Sequence, residues 1–166
     1  MERTKELVNG ESFPLFGRNY RLQLMPSTDA KQDGCATQNG RLVINANAKI
    51  RENIENWYCR ELEIKIREII SRYSAILKVI PGDLRISKRG HSWGSCSKNG
   101  NLSFNWRLAM APVSVIEYAV VHELCHLKTP DHSKCYWSLL KSVLPDYERQ
   151  RSWLREKGEG LFWLFN

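Results

Sequence analysis

The chain lacks a run of apolar residues long enough to cross a bilayer, and it contains no internal repeat or low-complexity segment. These absences argue against a membrane span and against a repeat architecture. Its five cysteines include no C-x-x-C pair, and an odd number fits reduced thiols better than a disulfide scaffold. The first thirty residues show no basic start followed by an apolar core, so no secretory signal is indicated. We therefore expect a cytoplasmic protein.

Motifs for binding nucleic acids or phosphates are also missing, although the formal net charge is +7. We find no helix-turn-helix, no ladder of stacking aromatics and no glycine-rich phosphate loop, which disfavours a nucleic-acid-binding module. The segment 83–107 nevertheless holds five basic residues and one acid. Such a local excess favours an acidic peptide, a nucleotide or a nucleic-acid-bound target as substrate. The five basic residues are Arg85, Lys88, Arg89, Lys98 and Arg107.

Length and composition predict one α+β domain with its own core, because the chain has 166 residues of which 42% are hydrophobic. We predict that this single domain covers residues 1–166. Its expected parts are a β-rich N-terminal part (1–48), a long helix (49–77), a catalytic core (83–144), and a C-terminal helix with an apolar tail (145–166).

The N-terminal part is predicted to form antiparallel β-hairpins, with strands at 20–25 and 41–46 and a tight turn at Asn39-Gly40. The final helix is expected at 145–157, and the apolar tail at 160–165 is expected to dock on the domain. The long helix is predicted from apolar residues at helical spacing. These residues are Ile50, Ile54, Trp57, Leu62, Ile66, Ile69, Tyr73 and Ile76.

The most informative motif is His122-Glu123-Leu124-Cys125-His126, an H-E-x-x-H sequence. On a helix, residues four apart lie on one face, close enough for both imidazoles to bind one metal ion. Glu123 lies about 100° round the helix from His122, where it can take a proton from a bound water. The motif therefore predicts a zinc-dependent hydrolase with Glu123 as its general base.

The helix carrying this motif has two apolar faces. One stripe contains Ile116, Val120 and Leu124, and continues to Val113 and Leu127. The histidines share the other face with Val115 and Ala119. We expect the histidine-bearing face to point away from the main core.

A catalytic zinc usually has three protein ligands, so a third must come from outside the motif. We expect His132, which a short turn can bring back over the helix before the next predicted helix at 133–144. A downstream carboxylate is the alternative, supplied by Glu148 or Glu156. No methionine follows His132, so a Met-turn of the metzincin type is ruled out.

Several segments together resemble the YgjP-like metallopeptidases, which are related to the WLM and SprT-like groups. The resemblance rests on residues 93–97, 100–108 and 121–127, on His132-Ser133 and on Tyr136-Trp137. It implies a compact zincin-like domain with one zinc ion per chain. The residues it implies are His122, His126 and His132 as metal ligands and Glu123 as general base.

In front of the active-site helix, Asn99-Gly100 predicts a type I′ turn and the alternation from Leu102 to Arg107 predicts a half-buried strand. In zincin-like enzymes such a strand forms the rim of the cleft, where it pairs with an extended peptide. Asn105 and Arg107 on its polar face are therefore candidate substrate-binding residues. His91 is a further candidate, for stabilising an oxyanion.

These observations predict an α+β, zincin-like zinc metallopeptidase that acts on peptide or protein substrates, including acidic ones. The first alternative is a metal-dependent nucleoside triphosphate pyrophosphohydrolase, since an activated water can also attack a phosphoanhydride. The second is a non-catalytic binding protein whose zinc is structural. A structural site would not require Glu123, which argues against this last reading.

Overall fold

The computed structural model describes residues 5–26, 34–46 and 49–163. Within these ranges seven strands form two sheets, and they are joined by four α-helices and one short 3-10 helix. The strands are β1 (Ser12–Leu15), β2 (Arg18–Pro26), β3 (Cys35–Gln38), β4 (Arg41–Ala46), β5 (Leu84–Ser87), β6 (Gly94–Cys96) and β7 (Leu102–Asn105). The helices are α1 (Ile50–Leu77), α2 (Val113–Cys125), α3 (Lys134–Val143) and α4 (Tyr147–Trp163), with the 3-10 helix at Trp106–Met110.

The N-terminal sheet has the strand order β1-β2-β4-β3 and consists of two antiparallel hairpins. Asn39 and Gly40 join β3 to β4 with φ angles of 49° and 74°, as the predicted two-residue turn requires. The hairpins meet through a parallel pairing of β2 with β4, in which Leu22 lies opposite Leu42. The antiparallel hairpins are as predicted, and the parallel pairing between them makes the sheet mixed.

Helix α1 packs across this sheet and against α2. Its buried residues largely follow the predicted helical spacing, although Tyr58 is buried as well, Ile50 is half-buried, and one position near the C-terminus differs. Ile76 is 58% exposed, whereas Leu77 is 2% exposed and occupies the buried position. The helix ends directly afterwards, at Lys78 in a left-handed conformation. Ion pairs one turn apart, such as Glu63 with Arg67, cover its solvent side.

The second sheet has the order β5-β7-β6, so β7 is its central strand. The predicted rim strand therefore has neighbours on both sides and offers no open edge. It is also shorter than predicted, because the Asn105 side chain accepts a hydrogen bond from the amide of Arg107 and starts the 3-10 helix at Trp106. The edge strands of this sheet are β5 and β6, and the rim prediction is corrected accordingly.

A tight turn joins β6 to β7. The amide of Gly100 donates to the Ser97 carbonyl, and the Ser97 amide donates to the Asn101 carbonyl. Gly100 has a φ of 79°, while Asn99 does not share this left-handed conformation. A type I turn followed by a glycine bulge fits these contacts, in place of the predicted type I′ turn.

Helix α2 is buried on nearly all sides. Ile116, Val120 and Leu124 are fully buried, and Val115 and Ala119 on the histidine-bearing face are 2% and 5% exposed. The expectation that this face points away from the core was wrong, because α3, α4 and β6 all pack around α2. The C-terminal end of α2 is consequently packed by these elements, and His122 and His126 are half-buried.

Helix α4 is longer than predicted and takes in the first part of the apolar tail. The ring of Phe162 lies against Trp93 at 4.7 Å and against His91 at 5.0 Å between centroids. This part of the tail docks on the domain, as expected, while Leu164 and Phe165 lie outside the described residues. No described helix is both long and apolar enough to span a membrane.

Candidate metal centre and active site

His122 and His126 lie at the C-terminal end of α2, where the helix tightens. The amide of His126 donates to the Glu123 carbonyl, and that of Leu127 donates to the Leu124 carbonyl. These bonds span three residues instead of four, which is a common way to end an α-helix. The last turn therefore presents both imidazoles at a defined end of the helix.

His132 is brought back to this pair by the turn that follows. Ser133 caps α3, with its hydroxyl accepting from the Tyr136 amide, and so fixes the start of the helix next to His132. The Nε2 atom of His132 lies 3.2 Å from Nε2 of His122. One ligand atom from each of His122, His126 and His132 lies within 4.8 Å of the others, the one such cluster among the described residues.

The alternative carboxylate ligands lie elsewhere. Glu148 and Glu156 are exposed on α4. Neither belongs to the cluster of potential metal ligands found in the described part of the chain. The fold thus brings together the histidine set and leaves the two glutamates apart.

The donor set fits a zinc ion. Two nitrogens bound tetrahedrally to one zinc lie about 3.3 Å apart, close to the 3.2 Å found between the Nε2 atoms of His122 and His132. Nδ1 of His126 lies 3.2 Å from the Thr129 carbonyl, which leaves Nε2 for a metal. Burial and the neighbouring histidines lower the pKa of His122 to about 4, and burial lowers that of His126. Neutral imidazoles are the form that binds zinc.

Glu123 is buried beside the histidines, with 7% of its surface exposed. Its burial raises its pKa to about 7. A carboxylate with such a pKa can both accept and return a proton near neutral pH. It packs against Gly94 of β6, since a Cβ atom placed on Gly94 would lie 2.9 Å from Oε1 of Glu123. The edge strand therefore forms the wall behind this carboxylate.

An open cleft of about 810 Å³ contains these groups. The sequence did not single out the β6 contribution to this cleft, or Cys96 and Lys98 as its lining. Burial and then the charge of Glu123 raise the pKa of the Cys96 thiol, which keeps it protonated. The lining residues are Gly94, Cys96, Ser97, Lys98, His122, Glu123, His126, Leu127, Pro130 and His132.

The three predicted substrate-binding residues do not line this cleft. Asn105 is buried, donates to the Gly90 carbonyl and caps the 3-10 helix. The Arg107 guanidinium lies over the rings of Trp106 and Phe162, and burial lowers its pKa. His91 is exposed and packs on the same Phe162 ring. Alternation along a strand predicted their faces but not their distance from the metal ligands.

The basic segment is also distributed differently from the expectation. Lys88 donates to Asn56 and forms an ion pair with Glu55, both on α1. Of the five basic residues, Lys98 is the one that lines the cleft. The positive charge near the candidate active site is therefore smaller than the sequence count indicated.

Tyr136 is a further residue of the site, and it was not among the predicted site residues. It appears in the chain as one apolar position of an amphipathic helix. In the structure its fully buried ring contacts all three histidine rings, and its hydroxyl donates to the His122 carbonyl. The sequence signals were its place in the Tyr136-Trp137 segment of the family resemblance and its distance of four residues from His132, one turn into a helix capped by Ser133.

A helix carrying H-E-x-x-H, joined by a third converging histidine in an α+β domain, defines the class of metal-dependent peptidases. The chain matches the family model described as "YgjP-like, metallopeptidase domain" over residues 1–157 and belongs to that family. The match extends well beyond the segments that carry the resemblance in sequence. The chain is accordingly a hydrolase of the metallopeptidase class.

Two solved structures are similar to part of the chain. The metallopeptidase zymogen abylysin of Pyrococcus abyssi has 23% identity and a TM-score of 0.49, over 55% of this chain and 95% of that one. The metallopeptidase zymogen jannalysin of Methanocaldococcus jannaschii has 19% identity and a TM-score of 0.48, over 57% and 89%. Comparison with curated protein sequences gives no match.

Proposed function

We propose that this protein is a zinc-dependent peptidase in which His122, His126 and His132 hold the metal and Glu123 is the general base. The observation that carries the proposal is the convergence of three imidazole nitrogens beside a buried carboxylate in one open cleft. A zinc site with a purely structural role usually has four protein ligands and no open position. The open cleft therefore favours catalysis over a binding role.

Zinc, when bound, would supply a Lewis acid that polarises the scissile carbonyl and makes water more acidic. Glu123 accepts a proton from the attacking water, whose oxygen forms the new bond to the carbonyl carbon. When the carbon–nitrogen bond breaks, Glu123 returns the proton to the leaving amine. The raised pKa of Glu123, about 7, suits it to both halves of this transfer.

We propose that the substrate backbone pairs with the open edge of β6. The Trp93 carbonyl accepts from the Asn105 amide, so residues 93, 95 and 97 direct their backbone groups towards β7. By alternation, the backbone groups of Gly94 and Cys96 point to the open edge. The Ser92 hydroxyl already donates to the Gly94 carbonyl. An extended peptide would add to this edge as a strand.

Peptide hydrolysis is favoured over nucleotide hydrolysis. The basic segment was the reason to consider a triphosphate, and Lys98 alone of its five basic residues lines the cleft. One exposed lysine does not form a phosphate cradle, which needs several backbone amides or cations together. A peptide requires no such cradle.

Reduced cysteines support a cytoplasmic location for this peptidase. All five cysteines are free thiols, and Cys35 and Cys125 are buried. Protein thiols stay reduced in the cytosol, whereas oxidising compartments favour disulfides.

The function is tested by incubating the zinc-loaded protein with a mixed peptide library and, separately, with a panel of nucleoside triphosphates. We expect peptide cleavage that is lost in Glu123→Gln. If the protein hydrolyses a nucleoside triphosphate in a Glu123-dependent way and cleaves no peptide, the peptidase proposal is overturned and the nucleotide hydrolase is favoured.

The ligand set is tested separately by the zinc content of two variants. We expect His132→Ala to lose zinc, because it removes one of three converging nitrogens. Glu148→Ala should keep zinc, because that side chain is exposed on α4. If Glu148→Ala loses zinc and His132→Ala keeps it, the third ligand is the Glu148 carboxylate.

A further inference from the structure

We propose that Tyr136 is a positioning residue that holds the three histidines in the arrangement needed to bind the metal. This inference rests on the proposed function, because it takes His122, His126 and His132 as ligands. Tyr136 itself lies outside the ligand cluster and acts through its contacts with the histidines.

The ring of Tyr136 contacts all three imidazole rings. It is fully buried, and its centroid lies 5.3 Å from the ring of His122, 4.7 Å from that of His126 and 4.8 Å from that of His132. It stacks on His126 at 28° and meets the other two nearly edge-on, at 72° and 76°. Aromatic contacts at these distances are directional, so a single ring constrains the relative orientation of all three ligands.

The hydroxyl of Tyr136 fixes the end of α2. It donates a hydrogen bond of 2.9 Å to the carbonyl of His122. In a continuing helix this carbonyl would receive the amide of His126, but that amide donates to the Glu123 carbonyl instead. The hydroxyl therefore provides the hydrogen bond that the His122 carbonyl no longer receives from the helix backbone.

His122 depends on this support more than His126 does. The ring of His126 is oriented by the contact of Nδ1 with the Thr129 carbonyl. Nδ1 of His122 is buried and has no hydrogen-bond partner within the described residues. Packing must therefore set the orientation of the His122 ring, and Tyr136 both packs against that ring and bonds to its backbone.

The same residue connects the third ligand to the other two. The amide of Tyr136 donates to the Ser133 hydroxyl, so the first turn of α3 is closed directly after His132. One side chain thus joins the start of α3 to the end of α2. Since the first two ligands lie on α2 and the third precedes α3, the position of Tyr136 relative to both helices sets the shape of the site.

The proposal is tested with Tyr136→Phe and Tyr136→Leu, with Leu140→Ala as the control. Leu140 is on the same helix and equally buried, and its aliphatic side chain makes no ring contact with the histidines. Each protein is measured for zinc affinity by chelator competition, for the visible spectrum of bound Co²⁺, and for the melting temperature without metal.

We expect Tyr136→Leu to weaken zinc affinity by tenfold or more, which is typical for removing a residue that orients a metal ligand. Tyr136→Phe keeps the aromatic ring and loses one hydrogen bond, so its affinity for zinc should fall about fivefold. Its Co²⁺ spectrum should lie nearer to that of the wild type. Leu140→Ala should lower the melting temperature and leave zinc affinity and the spectrum unchanged.

Zinc affinity and a Co²⁺ spectrum in both Tyr136 variants equal to those of the wild type would overturn the inference and reduce Tyr136 to core packing. If Tyr136→Leu fails to fold, an unchanged affinity and spectrum in Tyr136→Phe has the same meaning. A wild-type protein that binds no zinc would instead overturn the ligand set, and with it the proposed function. The two failures are therefore distinguishable.

Discussion

Replacing Gly94 by alanine should impair catalysis without removing the metal. Gly94 is on the edge strand β6 and has no left-handed φ that would itself exclude alanine. A Cβ atom there would lie 2.9 Å from Oε1 of Glu123, 3.0 Å from its Cγ and 3.0 Å from Cε1 of Phe104. Non-bonded carbon contacts normally lie at about 3.5–4.0 Å. The carboxylate must therefore move by roughly half an ångström or more.

The expected magnitude follows from this displacement. A misplacement of about 1 Å in a catalytic group can cost about 100-fold in rate. We expect Gly94→Ala to lower kcat/KM for a cleaved peptide by about 10- to 100-fold. The three atoms nearest to the added Cβ belong to Glu123 and Phe104 and not to a histidine, so the zinc content should remain that of the wild type. Overpacking at this position should cost about 1–3 kcal/mol of stability, so activity is measured well below the melting temperature.

Gly34→Ala is the matched control, because a Cβ atom at Gly34 meets no atom of the described residues within 4 Å and its φ is not left-handed. It should retain wild-type activity and zinc content. A Gly94→Ala protein with full zinc and the kcat/KM of the wild type would refute the reasoning that Gly94 makes room for Glu123.

Three other predictions concern charge, packing and the metal. Lys98→Glu should lower kcat/KM for an acidic peptide more than for a matched neutral peptide, because Lys98 lines the cleft. Lys88→Glu should show no such difference, because Lys88 pairs with Glu55 on α1. Equal effects of Lys98→Glu on the two peptides would contradict a role for its charge. Gly158→Ala should lower the melting temperature, because the added Cβ would lie 2.9 Å from Cζ2 of Trp93. Alanine is favoured over glycine in a helix by about 1 kcal/mol, so a higher melting temperature would show that this close contact is not destabilising. Zinc at 100 times its Kd should stabilise the folded protein by about 2.7 kcal/mol, measured by thermal melts. If His122→Ala shows the same stabilisation by zinc, His122 is not a metal ligand.

The active-site helix and its histidines could be predicted because their chemistry depends on short spacings. His122 and His126 must lie on one face once a helix forms, and Pro130 limits how far the chain can continue before turning back. The return of His132 depends on a turn of a few residues, so its spacing was also informative. The long helix α1 followed in the same way from a local periodicity.

The rest depended on contacts between distant segments. Alternation at 102–107 predicted a strand, but it could not indicate that β7 lies between β5 and β6. The pattern also continued through Trp106, although the Asn105 side chain ends the strand by capping the next helix. The parallel pairing of β2 with β4 had no local signature either, because pairing direction does not change which residues face the core.

The same limit explains the substrate-binding residues. Asn105, Arg107 and His91 were chosen because a polar face at the rim of a cleft would carry substrate contacts. In the structure Asn105 is a buried cap and the other two pack beside Phe162 of α4. Phe162 belongs to a tail that the sequence indicated would dock, but its docking position is set by tertiary packing alone.

The most direct test of the account compares kcat/KM of the wild type with that of Glu123→Gln on one cleaved peptide, at equal zinc content. The substitution keeps the size of the buried side chain and removes its ability to accept a proton. We expect a loss of about 100- to 10,000-fold, the usual contribution of a general base. An equal rate in both proteins at full zinc occupancy would contradict the role of Glu123 and the peptidase mechanism built on it.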